Sequence, residues 1–517
     1  MTVREPLAAN AASRPGEDAV VGRGVHWTWR DLEAISGRMA MTLAEAGVGE
    51  ASRVAVLADD GPGAVAAIHA ARRIGAILVP LNRRAAPREL GRLVAQARPA
   101  VLIHDEGHGA VAAEVSAMSG ATGVHPRAMA LEWLLESQVD AERAVSRRVA
   151  VLRDDVDPAA PATIVFTSGT TGQQKGAILT QGNHLASARA WAGVLRPAPT
   201  DRWLACLPFH HVAGLAMVLR SSLWGVPLHL ASGFEPAAIW RAFDEDGISH
   251  CSIVGSTLRR LVDARDGRPA PPTLRAVLVG AERTPPDWIR AARRLGLPVM
   301  PTYGATETAS GVTALQPADA DRLPGSAGRP LPGVEMRIAI GEGGGAGQSS
   351  TAGAGEIGEI EVRGGMVFAG YDGQPEAIAT VLAGGWLPTG DLGSLDADGF
   401  LTVADRRDDL IVSGGENVYP AEVEAVLREH PAVVDAAVVG RPDPRWGAVP
   451  VALVVLADHR ADHPDASPTD AALIAHCRSR LAAFKVPVAF RRVDAIPRTA
   501  NGKLRRAAAR LLLEGSS

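Results

Sequence analysis

The stretch TSGTTGQQKG, Thr167–Gly176, packs hydroxyl side chains, three glycines and one lysine into ten residues. It follows the apolar run ATIVF, which predicts a strand that ends where the loop begins. Glycines let backbone N–H groups crowd around an anion, hydroxyls add hydrogen-bond donors, and Lys175 adds a positive charge. A Walker A loop ends in Gly-Lys-Ser/Thr, whereas here Gly176 follows the lysine. A plain surface turn is the alternative, but the density of these residues favours a phosphate-binding loop of another type.

The composition predicts a folded globular protein. Apolar residues make up 47% and charged residues 21% of the 517 residues, and the net charge is -4 at pH 7. This balance gives no attraction to nucleic acid or to an acidic membrane surface. We expect no membrane span, because no run approaches the roughly 18 apolar residues that one needs. The N-terminus lacks the apolar core of a secretory signal, and the three cysteines lie far apart, so we expect a cytoplasmic protein without disulfides or a zinc site.

The order of apolar runs predicts an α/β fold with several domains. Short β-branched runs such as RVAVLADD, AILVPLN and LRAVLVG alternate with helical stretches, which is typical of layered parallel sheets. From about residue 328, VEMRIAI, GEIEVRG and FLTVADR predict an antiparallel β subdomain, and Gly341–Gly355 predicts a flexible loop within it. The last 110 residues or so have their own rhythm of strands and helices, which indicates a separate α+β domain.

Four further motifs accompany the phosphate loop. They are PTYGATETAS (Pro301–Ser310), GWLPTGDLG (Gly385–Gly393), DRRDDLIVSGGENVYP, and PRTANGKLRR (Pro497–Arg506). Each motif alone is weak, because a lone Thr-Gly-Asp or Asn-Gly-Lys is usually a turn. Their joint occurrence in this order is highly specific.

Together these motifs make the chain resemble the superfamily of adenylate-forming enzymes, which includes acyl- and aryl-CoA synthetases, peptide-synthetase adenylation domains and beetle luciferases. The resemblance covers nearly the whole chain. It implies a large N-terminal domain of layered sheets and helices over residues 1–405, a hinge over 406–409, and a small mobile C-terminal α+β domain over 410–517. It also implies two half-reactions, in which a carboxylate first becomes an acyl-AMP and then a thioester.

The resemblance assigns a role to each motif, with ATP, Mg²⁺ and CoA as the co-substrates and cofactor. Thr306 would contact the α-phosphate, Glu307 would hold Mg²⁺, and Tyr303 would stack on adenine. The ribose hydroxyls would bind Asp391, with Arg406 beside it. The β- and γ-phosphates would lie in the loop formed by Thr167, Ser168, Gly169, Thr170, Thr171, Gly172 and Lys175.

The mobile domain would supply the remaining groups. Lys503 would bridge the α-phosphate and the reacting carboxylate during adenylation. Rotation about Asp408 would then withdraw Lys503 and bring Gly414 and Gly415 to the CoA tunnel, so that domain motion gates the chemistry. A solvated charge in a charged run is the alternative for Asp408.

The acid pocket is predicted from LPFHHVAGL, Leu207–Leu215, and from LVGAERTPP. His211 matches a family histidine that borders the acid and the thiol tunnel, where a role as pocket wall is favoured over direct catalysis. Gly280 and Ala281 would also line the acid, and the charges of Glu282 and Arg283 depart from the small residues usual there.

Several segments, among them HHVAGLAMVLRSSLWG and WGAVPVALVV, look most like the o-succinylbenzoate–CoA ligases of menaquinone biosynthesis. That acid carries a second carboxylate, which needs a cation in the pocket. Arg220 lies in an otherwise apolar stretch after the acid-pocket motif and is our candidate, with an arginine on a helix surface as the alternative.

Other functions stay open at this point. A ligase for another aromatic or fatty acid is the main alternative. A peptide-synthetase domain is less favoured, because no carrier-domain serine motif follows in this sequence, and luciferase-type oxidation is disfavoured. A non-catalytic nucleotide-binding regulator is disfavoured by the presence of Lys175, Glu307, Asp391 and Lys503 together. The expected partners are a small carboxylic acid, ATP and CoA, and the sequence leaves a homo-oligomer open.

Overall fold

The computed structural model describes most of the chain. The described residues are 3–120, 122–136, 152–167, 174–281, 284–320, 323–340, 350–374, 383–406, 409–413, 416–443, 446–457, 468–481, 483–498 and 504–514. They form two compact units, one made of Met1–Glu335 with Val362–Leu387 and the other of Met336–Glu361 with Pro388–Ser517.

The strands up to residue 330 are β1 (Val3–Arg4), β2 (Asp18–Gly22), β3 (Val25–Thr28), β4 (Arg53–Leu57), β5 (Ile77–Pro80), β6 (Val101–His104), β7 (Arg127–Ala130), β8 (Asp155–Val156), β9 (Pro161–Thr167), β10 (Lys175–Thr180), β11 (Trp203–Ala205), β12 (Leu228–Leu230), β13 (His250–Val254), β14 (Ala276–Gly280), β15 (Val299–Ala305), β16 (Ser310–Ala314) and β17 (Arg329–Pro330). The later strands are β18 (Val334–Ile340), β19 (Ser350–Thr351), β20 (Gly358–Gly364), β21 (Gly370–Tyr371), β22 (Leu387–Leu395), β23 (Leu401–Arg406), β24 (Ile411–Ser413), β25 (Glu416–Val418), β26 (Val433–Asp443), β27 (Gly447–Leu456) and β28 (Phe490–Arg492).

The α-helices are α1 (Pro6–Ser13), α2 (Trp29–Glu45), α3 (Pro62–Arg73), α4 (Pro87–Ala97), α5 (Gly109–Gly120), α6 (Leu131–Glu136), α7 (Gln181–Leu195), α8 (Val212–Trp224), α9 (Pro236–Glu245), α10 (Gly255–Asp263), α11 (Pro286–Arg294), α12 (Pro420–Arg428), α13 (Asp470–Arg478) and α14 (Arg506–Glu514). Short 3₁₀ helices cover Glu106–His108, Thr306–Thr308, Ala383–Gly385 and Ala483–Lys485. Among the described residues, no helix has the length and apolar content to cross a bilayer.

Two mixed sheets organise the first unit. One has the order β21-β10-β9-β5-β4-β6-β7 and the other β17-β16-β15-β14-β13-β11-β12-β2-β3. The central pairs, such as β4 with β5 and β13 with β14, are parallel, whereas the pairs β9 with β10 and β15 with β16 are antiparallel. Parallel strands need helical crossovers, which explains the alternation of strands and helices in the sequence. The α/β prediction is therefore confirmed.

Buried apolar side chains fill the space between these sheets and their helices. In the second sheet, Val277 of β14 and Cys251 of β13 pack with Phe243 of α9 and Leu258 of α10. Each of these four side chains is essentially excluded from solvent. Burial of such side chains supplies most of the driving force for folding, at about 25 cal/mol per Å² of apolar surface.

All three cysteines of the chain are unpaired and buried. Cys206 and Cys251 approach each other with their Sγ atoms 3.6 Å apart, and Cys477 packs in the core of the second unit. Burial raises the pKa of the Cys477 thiol to about 11, so that this thiol stays protonated at neutral pH.

The second unit contains a sheet of order β25-β24-β27-β26, with β28 added in parallel beside β27. Helices α12 and α13 contribute Val423, Leu427 and Leu473 to its core. A further sheet has the order β19-β18-β20-β22-β23, which corresponds to the predicted antiparallel β subdomain. Within it, the pairs β18 with β19 and β22 with β23 are antiparallel.

One local prediction in this sheet was wrong. Gly341–Gly355 was expected to be a flexible loop throughout, but Ser350 and Thr351 form a short strand opposite Ile340 and Ala339. Hydrogen bonding to the neighbouring strand outweighs the weak β-propensity of this polar segment. Residues 341–349 lie outside the described residues. The second unit also takes in residues 336–361 and 388–405, whereas the sequence places the domain boundary at residue 405, and that boundary stays a prediction.

Candidate active site

The phosphate-loop motif lies in a β-hairpin of the first sheet. Strand β9 ends at Thr167, strand β10 begins at Lys175, and these two residues face each other across the antiparallel pair. The Thr167 hydroxyl donates to the Lys175 carbonyl oxygen at 3.4 Å. The structure therefore places Thr167 and Lys175 together at the base of the loop. The predicted residues Ser168, Gly169, Thr170, Thr171 and Gly172 lie outside the described residues.

Gln174, next to the lysine of the phosphate-loop motif, has a specific contact. Its side-chain Nε2 donates to Glu89 Oε1 of α4 at 2.7 Å. A charge-assisted hydrogen bond of this kind holds the lysine end of the hairpin against a helix.

A tyrosine connects the two charged residues predicted to bind ATP and magnesium. The Lys175 ammonium lies 5.1 Å from the centre of the Tyr371 ring, within the range of a cation–π interaction. The hydroxyl of the same tyrosine donates to Glu307 Oε1 at 2.7 Å. Lys175 and Glu307 therefore contact the same aromatic side chain, one over its ring and the other at its hydroxyl, although they are far apart in sequence.

The position of Tyr371 is fixed by backbone pairing. Strand β21 pairs with β10, with Tyr371 opposite Ala177. The Phe368 N–H donates to the Glu307 carbonyl oxygen at 2.8 Å, and the Phe368 and Tyr371 rings meet edge to face. Arg53 then anchors the next residue, Asp372, through two hydrogen bonds of 2.6 and 3.0 Å.

Sequence reasoning missed Tyr371. Two signals could have pointed to it. The chain has only three tyrosines, and this one ends the run FAGY beside a Gly/Asp turn. The contact itself depends on pairing between β10 and β21, which local patterns do not predict.

The nucleotide motif PTYGATE lies where β15 turns into a 3₁₀ helix. Tyr303 is half-buried on β15, and its N–H donates to the Thr313 hydroxyl at 3.1 Å. A side chain at Gly304 would come within 2.1 Å of the Ser310 carbonyl oxygen, so this position requires glycine. The turn places half-buried Thr306 and Glu307 directly after the strand end.

The residues after this turn have strained backbone conformations. Ala309 and Ser310 have φ angles of 49° and 100°, which non-glycine residues rarely adopt. The Thr308 hydroxyl stabilises this strained turn, because it accepts from the Ala305 N–H at 2.9 Å and donates to the Ser310 carbonyl oxygen at 2.8 Å. Strain held in this way is typical of binding and catalytic sites.

Arg220 is buried on α8 and reaches the end of the nucleotide motif. Its Nη2 donates to the hydroxyls of Ser310 at 2.8 Å and Ser187 at 2.9 Å, and its guanidinium lies 5.4 Å from the centre of the Trp191 ring. Only 4% of the residue is exposed. The alternative of a surface arginine is therefore wrong.

The charge of Arg220 has no acidic partner within the part of the chain that the structure describes. Its hydrogen-bond partners are hydroxyls, and its Nε is buried without an acceptor. Burial lowers the pKa of the guanidinium from 12.5 to about 9, which still leaves it protonated at neutral pH. An isolated buried cation is costly unless an anion accompanies it.

The acid-pocket motif places two imidazoles side by side. His211 precedes the first residue of α8, and its ring centre lies 4.0 Å from that of His210. Burial, with the neighbouring His211 second, lowers the pKa of His210 to about 2. The Phe209 N–H donates to Asp60 Oδ1 at 2.7 Å and fixes the segment just before them. His210 is thus a neutral, half-buried neighbour of the predicted residue, and sequence reasoning did not single it out.

Gly280 is the last residue of β14, and Ala281 follows it. A side chain at Gly280 would lie 2.5 Å from the Thr302 hydroxyl of β15, so the close approach of these strands requires glycine there. Ala281 has a φ of 67° and is exposed, which turns the chain sharply at the strand end. Glu282 and Arg283 lie outside the described residues.

Asp391 is almost buried on β22 and faces Arg406 across the antiparallel pair with β23. The Asp391 N–H donates to the Thr389 hydroxyl at 3.2 Å, and that hydroxyl donates to the Ile360 carbonyl oxygen. The backbone thus brings together the two residues predicted to contact ribose.

The remaining predicted residues, Lys503, Asp408, Gly414 and Gly415, lie outside the described residues. A group of three or more His, Cys, Asp or Glu side chains suited to a metal ion is absent from the described ranges. Magnesium often binds one or two protein carboxylates together with substrate phosphates and needs no such cluster.

Comparison with known proteins decides the family. Residues 7–372 match the family described as AMP-binding enzyme, and residues 422–503 match the AMP-binding enzyme C-terminal domain. The chain belongs to the AMP-binding enzyme family. The expected resemblance is therefore confirmed, and the first match extends over more than half of the chain.

Individual members of this family are similar to the chain over nearly its full length. A 2-succinylbenzoate–CoA ligase from Geobacillus kaustophilus is 38% identical over 93% of this chain and 91% of its own. The o-succinylbenzoate CoA synthetase from Bacillus subtilis in complex with the acyl-adenylate intermediate matches with a TM-score of 0.88 and 32% identity over 98% of each chain. The same synthetase with ATP and a magnesium ion matches with a TM-score of 0.87 and 32% identity, over 98% of this chain and 99% of its own.

Proposed function

We propose that the protein is an ATP-dependent acid–CoA ligase that activates 2-succinylbenzoate. The carboxylate attacks the α-phosphorus of ATP to give an acyl-AMP and pyrophosphate, and the CoA thiol then attacks the acyl carbon to give the thioester and AMP. Membership of the AMP-binding family supports the reaction class. The single observation that carries the choice of acid is the buried Arg220 guanidinium, which lacks an acidic partner among the described residues.

The first half-reaction explains the charges around Tyr371. A free carboxylate is a poor acyl donor because oxide would have to leave, and transfer to AMP provides a good leaving group. Negative charge collects on the phosphates during this step, so cations and hydrogen-bond donors stabilise the transition state. The Lys175 ammonium, held over the Tyr371 ring, would provide one such cation at the loop.

Glu307 fits the role of magnesium ligand. It is half-buried directly after β15, and the Tyr371 hydroxyl occupies its Oε1, which leaves the carboxylate with further lone pairs for an ion. Magnesium, when bound, would neutralise phosphate charge. In this arrangement Tyr371 is a positioning residue, because it fixes the carboxylate without contacting substrate itself.

The remaining roles follow the family pattern. Tyr303 would stack on adenine, Thr306 would donate to the α-phosphate, and Asp391 with Arg406 would accept from and orient the ribose. Lys503 would approach the α-phosphate and the reacting carboxylate from the C-terminal domain over 410–517, and the hinge at Asp408 would permit the exchange of half-reactions. Gly414 and Gly415 would then face the CoA thiol.

Arg220 would pair with the ring carboxylate, while the succinyl carboxylate reacts. The guanidinium can still offer donors on Nε and Nη1 to an anion, and charge-assisted hydrogen bonds of this kind are strong. His211, Gly280 and Ala281 would form other walls of the acid site. A monocarboxylic fatty acid would leave this buried charge unpaired, which disfavours the alternative acids. The three free cysteines fit a reducing compartment, and we place the reaction in the cytoplasm.

The test is pyrophosphate release with ATP and Mg²⁺ against a panel of acids, with and without CoA. The panel contains 2-succinylbenzoate, benzoates, and fatty acids of several lengths. Release with 2-succinylbenzoate, together with formation of its CoA thioester, is the expected result. Release with another acid alone would contradict the choice of acid and keep the class. The absence of release with every acid would favour a nucleotide-binding regulator.

A further inference from the structure

Charged side chains in the second unit form one continuous chain of alternating sign. It has six members, here called the ionic chain, and runs in the order Asp409, Arg506, Glu424, Arg428, Asp435 and Arg498. Helix α12 provides the central Glu424 and Arg428, four residues apart on one face. The other members come from segments that are distant in sequence.

Arg506, at the first position of α14, joins the beginning of the ionic chain. Its Nε lies 2.9 Å from Asp409 Oδ2, and its Nη1 donates to Glu424 Oε1. Arg506 and Glu424 are both held by Val438 of β26. Glu424 Oε1 accepts from the Val438 N–H at 2.9 Å, and Arg506 Nη1 donates to the Val438 carbonyl oxygen at 2.7 Å. This end is therefore fixed to the sheet.

Arg428 and Asp435 complete the path. The Arg428 guanidinium lies 3.5 Å from Glu424 Oε2 and 3.4 Å from Asp435 Oδ1. Arg498 Nη2 then donates to Asp435 Oδ2 at 2.7 Å. Each interior member thus contacts an opposite charge on both sides.

The ionic chain is best shielded from solvent around Glu424 and Arg506. Side-chain exposure is 6% for Glu424, 11% for Arg506 and 17% for Asp409, and it lies between 24% and 32% for the other three members. Isolated surface ion pairs contribute little, whereas several charges that form a network contribute more.

Two arginines of the ionic chain, Arg498 and Arg506, flank the segment that contains Lys503. Arg498 and Leu504 form an isolated antiparallel bridge, and the Arg505 N–H donates to the Pro497 carbonyl oxygen at 2.9 Å. Arg506 follows directly. At the other end, Asp409 is the residue after Asp408, the predicted hinge.

We propose that the ionic chain positions Lys503 for adenylation by fixing both flanks of its segment to α12, β26 and the end of the predicted hinge. Arg498 and Arg506 are positioning residues, because they act through Lys503 and do not contact the reacting atoms. This inference rests on the proposed function. If the ionic chain only stabilised the fold, its loss would slow both half-reactions. A positioning role predicts instead that only the half-reaction that uses Lys503 depends on the ionic chain.

The test compares the two half-reactions in Arg498→Gln and Arg506→Gln. Arg480→Gln is the matched control, because it removes an arginine of the same unit that pairs with Glu429 outside the ionic chain. We expect the adenylation rate of both variants to fall about 10- to 100-fold, because small displacements of a reacting group lower rates by this much. The rate of thioester formation from supplied 2-succinylbenzoyl-AMP should stay within about twofold of the unchanged protein.

The conservative variant Arg498→Lys separates charge from geometry. It keeps the pair with Asp435, so we expect it to recover most of the adenylation rate. If Arg506→Gln does not fold, as judged by thermal unfolding, Arg498→Gln carries the test, because its side chain is the most exposed of the six.

Two results would overturn the inference. Adenylation in both variants could equal that of Arg480→Gln, or both half-reactions could fall together. Failure of the proposed function is distinguishable, because the unchanged protein would then release no pyrophosphate with 2-succinylbenzoate.

Discussion

Replacement of Arg220 by methionine should stabilise the free protein and weaken its binding of a diacid. The pKa of the guanidinium falls from 12.5 to about 9 on burial, and at about 1.4 kcal/mol per pKa unit this is a cost of about 5 kcal/mol at neutral pH. Hydrogen bonds from the charged group to two hydroxyls return about 3 kcal/mol at the lower limit of their strength, about 1.5 kcal/mol each. Methionine removes the remaining cost of up to about 2 kcal/mol and keeps an unbranched apolar stem.

The two serines do not lose all their partners in this variant. The Ser187 hydroxyl also donates to the Ala309 carbonyl oxygen at 2.9 Å, and the Ser310 hydroxyl also accepts from the Gly311 N–H at 2.6 Å. No new unsatisfied hydroxyl therefore offsets the gain. We expect a higher melting temperature for Arg220→Met than for the unchanged protein.

The effect on the substrate should have the opposite sign. Loss of one partner of a buried charge pair costs about 2 to 5 kcal/mol, which predicts a rise of about 30-fold or more in KM for 2-succinylbenzoate. The matched acid is 4-oxo-4-phenylbutanoate, which has the same succinyl arm and no ring carboxylate. Its KM should change by less than about threefold, because no pair is lost.

Arg265→Met is the matched control. Arg265 is also buried and lies over a tryptophan ring, but it forms two hydrogen bonds of 2.6 and 2.9 Å with Asp244. Its replacement should lower stability and leave the ratio of the two KM values unchanged. The reasoning is refuted if Arg220→Met raises both KM values equally, or if it destabilises the protein as much as Arg265→Met does.

Three further predictions follow from other features. Tyr371→Phe keeps the ring beside Lys175 and removes the hydrogen bond to Glu307, so the Mg²⁺ concentration for half-maximal ATP binding, measured by calorimetry, should rise about tenfold; an unchanged titration would contradict a positioning role. Lys503→Ala should abolish adenylation and spare thioester formation from supplied acyl-adenylate, and an equal loss of both would contradict the hinge. Mild acid should destabilise the protein, because burial holds the pKa of four histidines well below 6.5. As pH falls, the unfolded chain takes up protons at these histidines before the folded protein does, which lowers the free energy of unfolding by about 2 kcal/mol for each histidine at pH 5. These are His69, His184, His210 and His250, with pKa values of about 3, 3, 2 and 4. A melting temperature that is the same at pH 7 and pH 5 would contradict this last prediction.

The sequence predicts most of this fold, and it places several of the candidate site residues at strand ends. Thr167, Thr306 and Glu307 each follow or end a strand whose apolar pattern is plain in the sequence. Motif order then identifies the family, and the α/β prediction follows from the alternation of strands and helices.

What the sequence could not give depends on contacts between distant segments. Tyr371 acts on Glu307 because β21 pairs with β10, and no local pattern specifies that pairing. Arg220 is visible as a basic residue in an apolar run, but only the structure reveals which hydroxyls surround it. The ionic chain likewise joins residues from five separate segments, whose charges alone resemble a solvated surface.

The burial of every cysteine has a practical consequence. A thiol introduced on the surface would be the only one readily accessible to a maleimide dye, since Cys206, Cys251 and Cys477 are all shielded. One dye pair, placed with one member on each unit, would convert the proposed rotation of the C-terminal domain into a change in energy transfer. Because its own cysteines are shielded, the native chain can be labelled at introduced surface thiols alone and then observed as single molecules through the catalytic cycle.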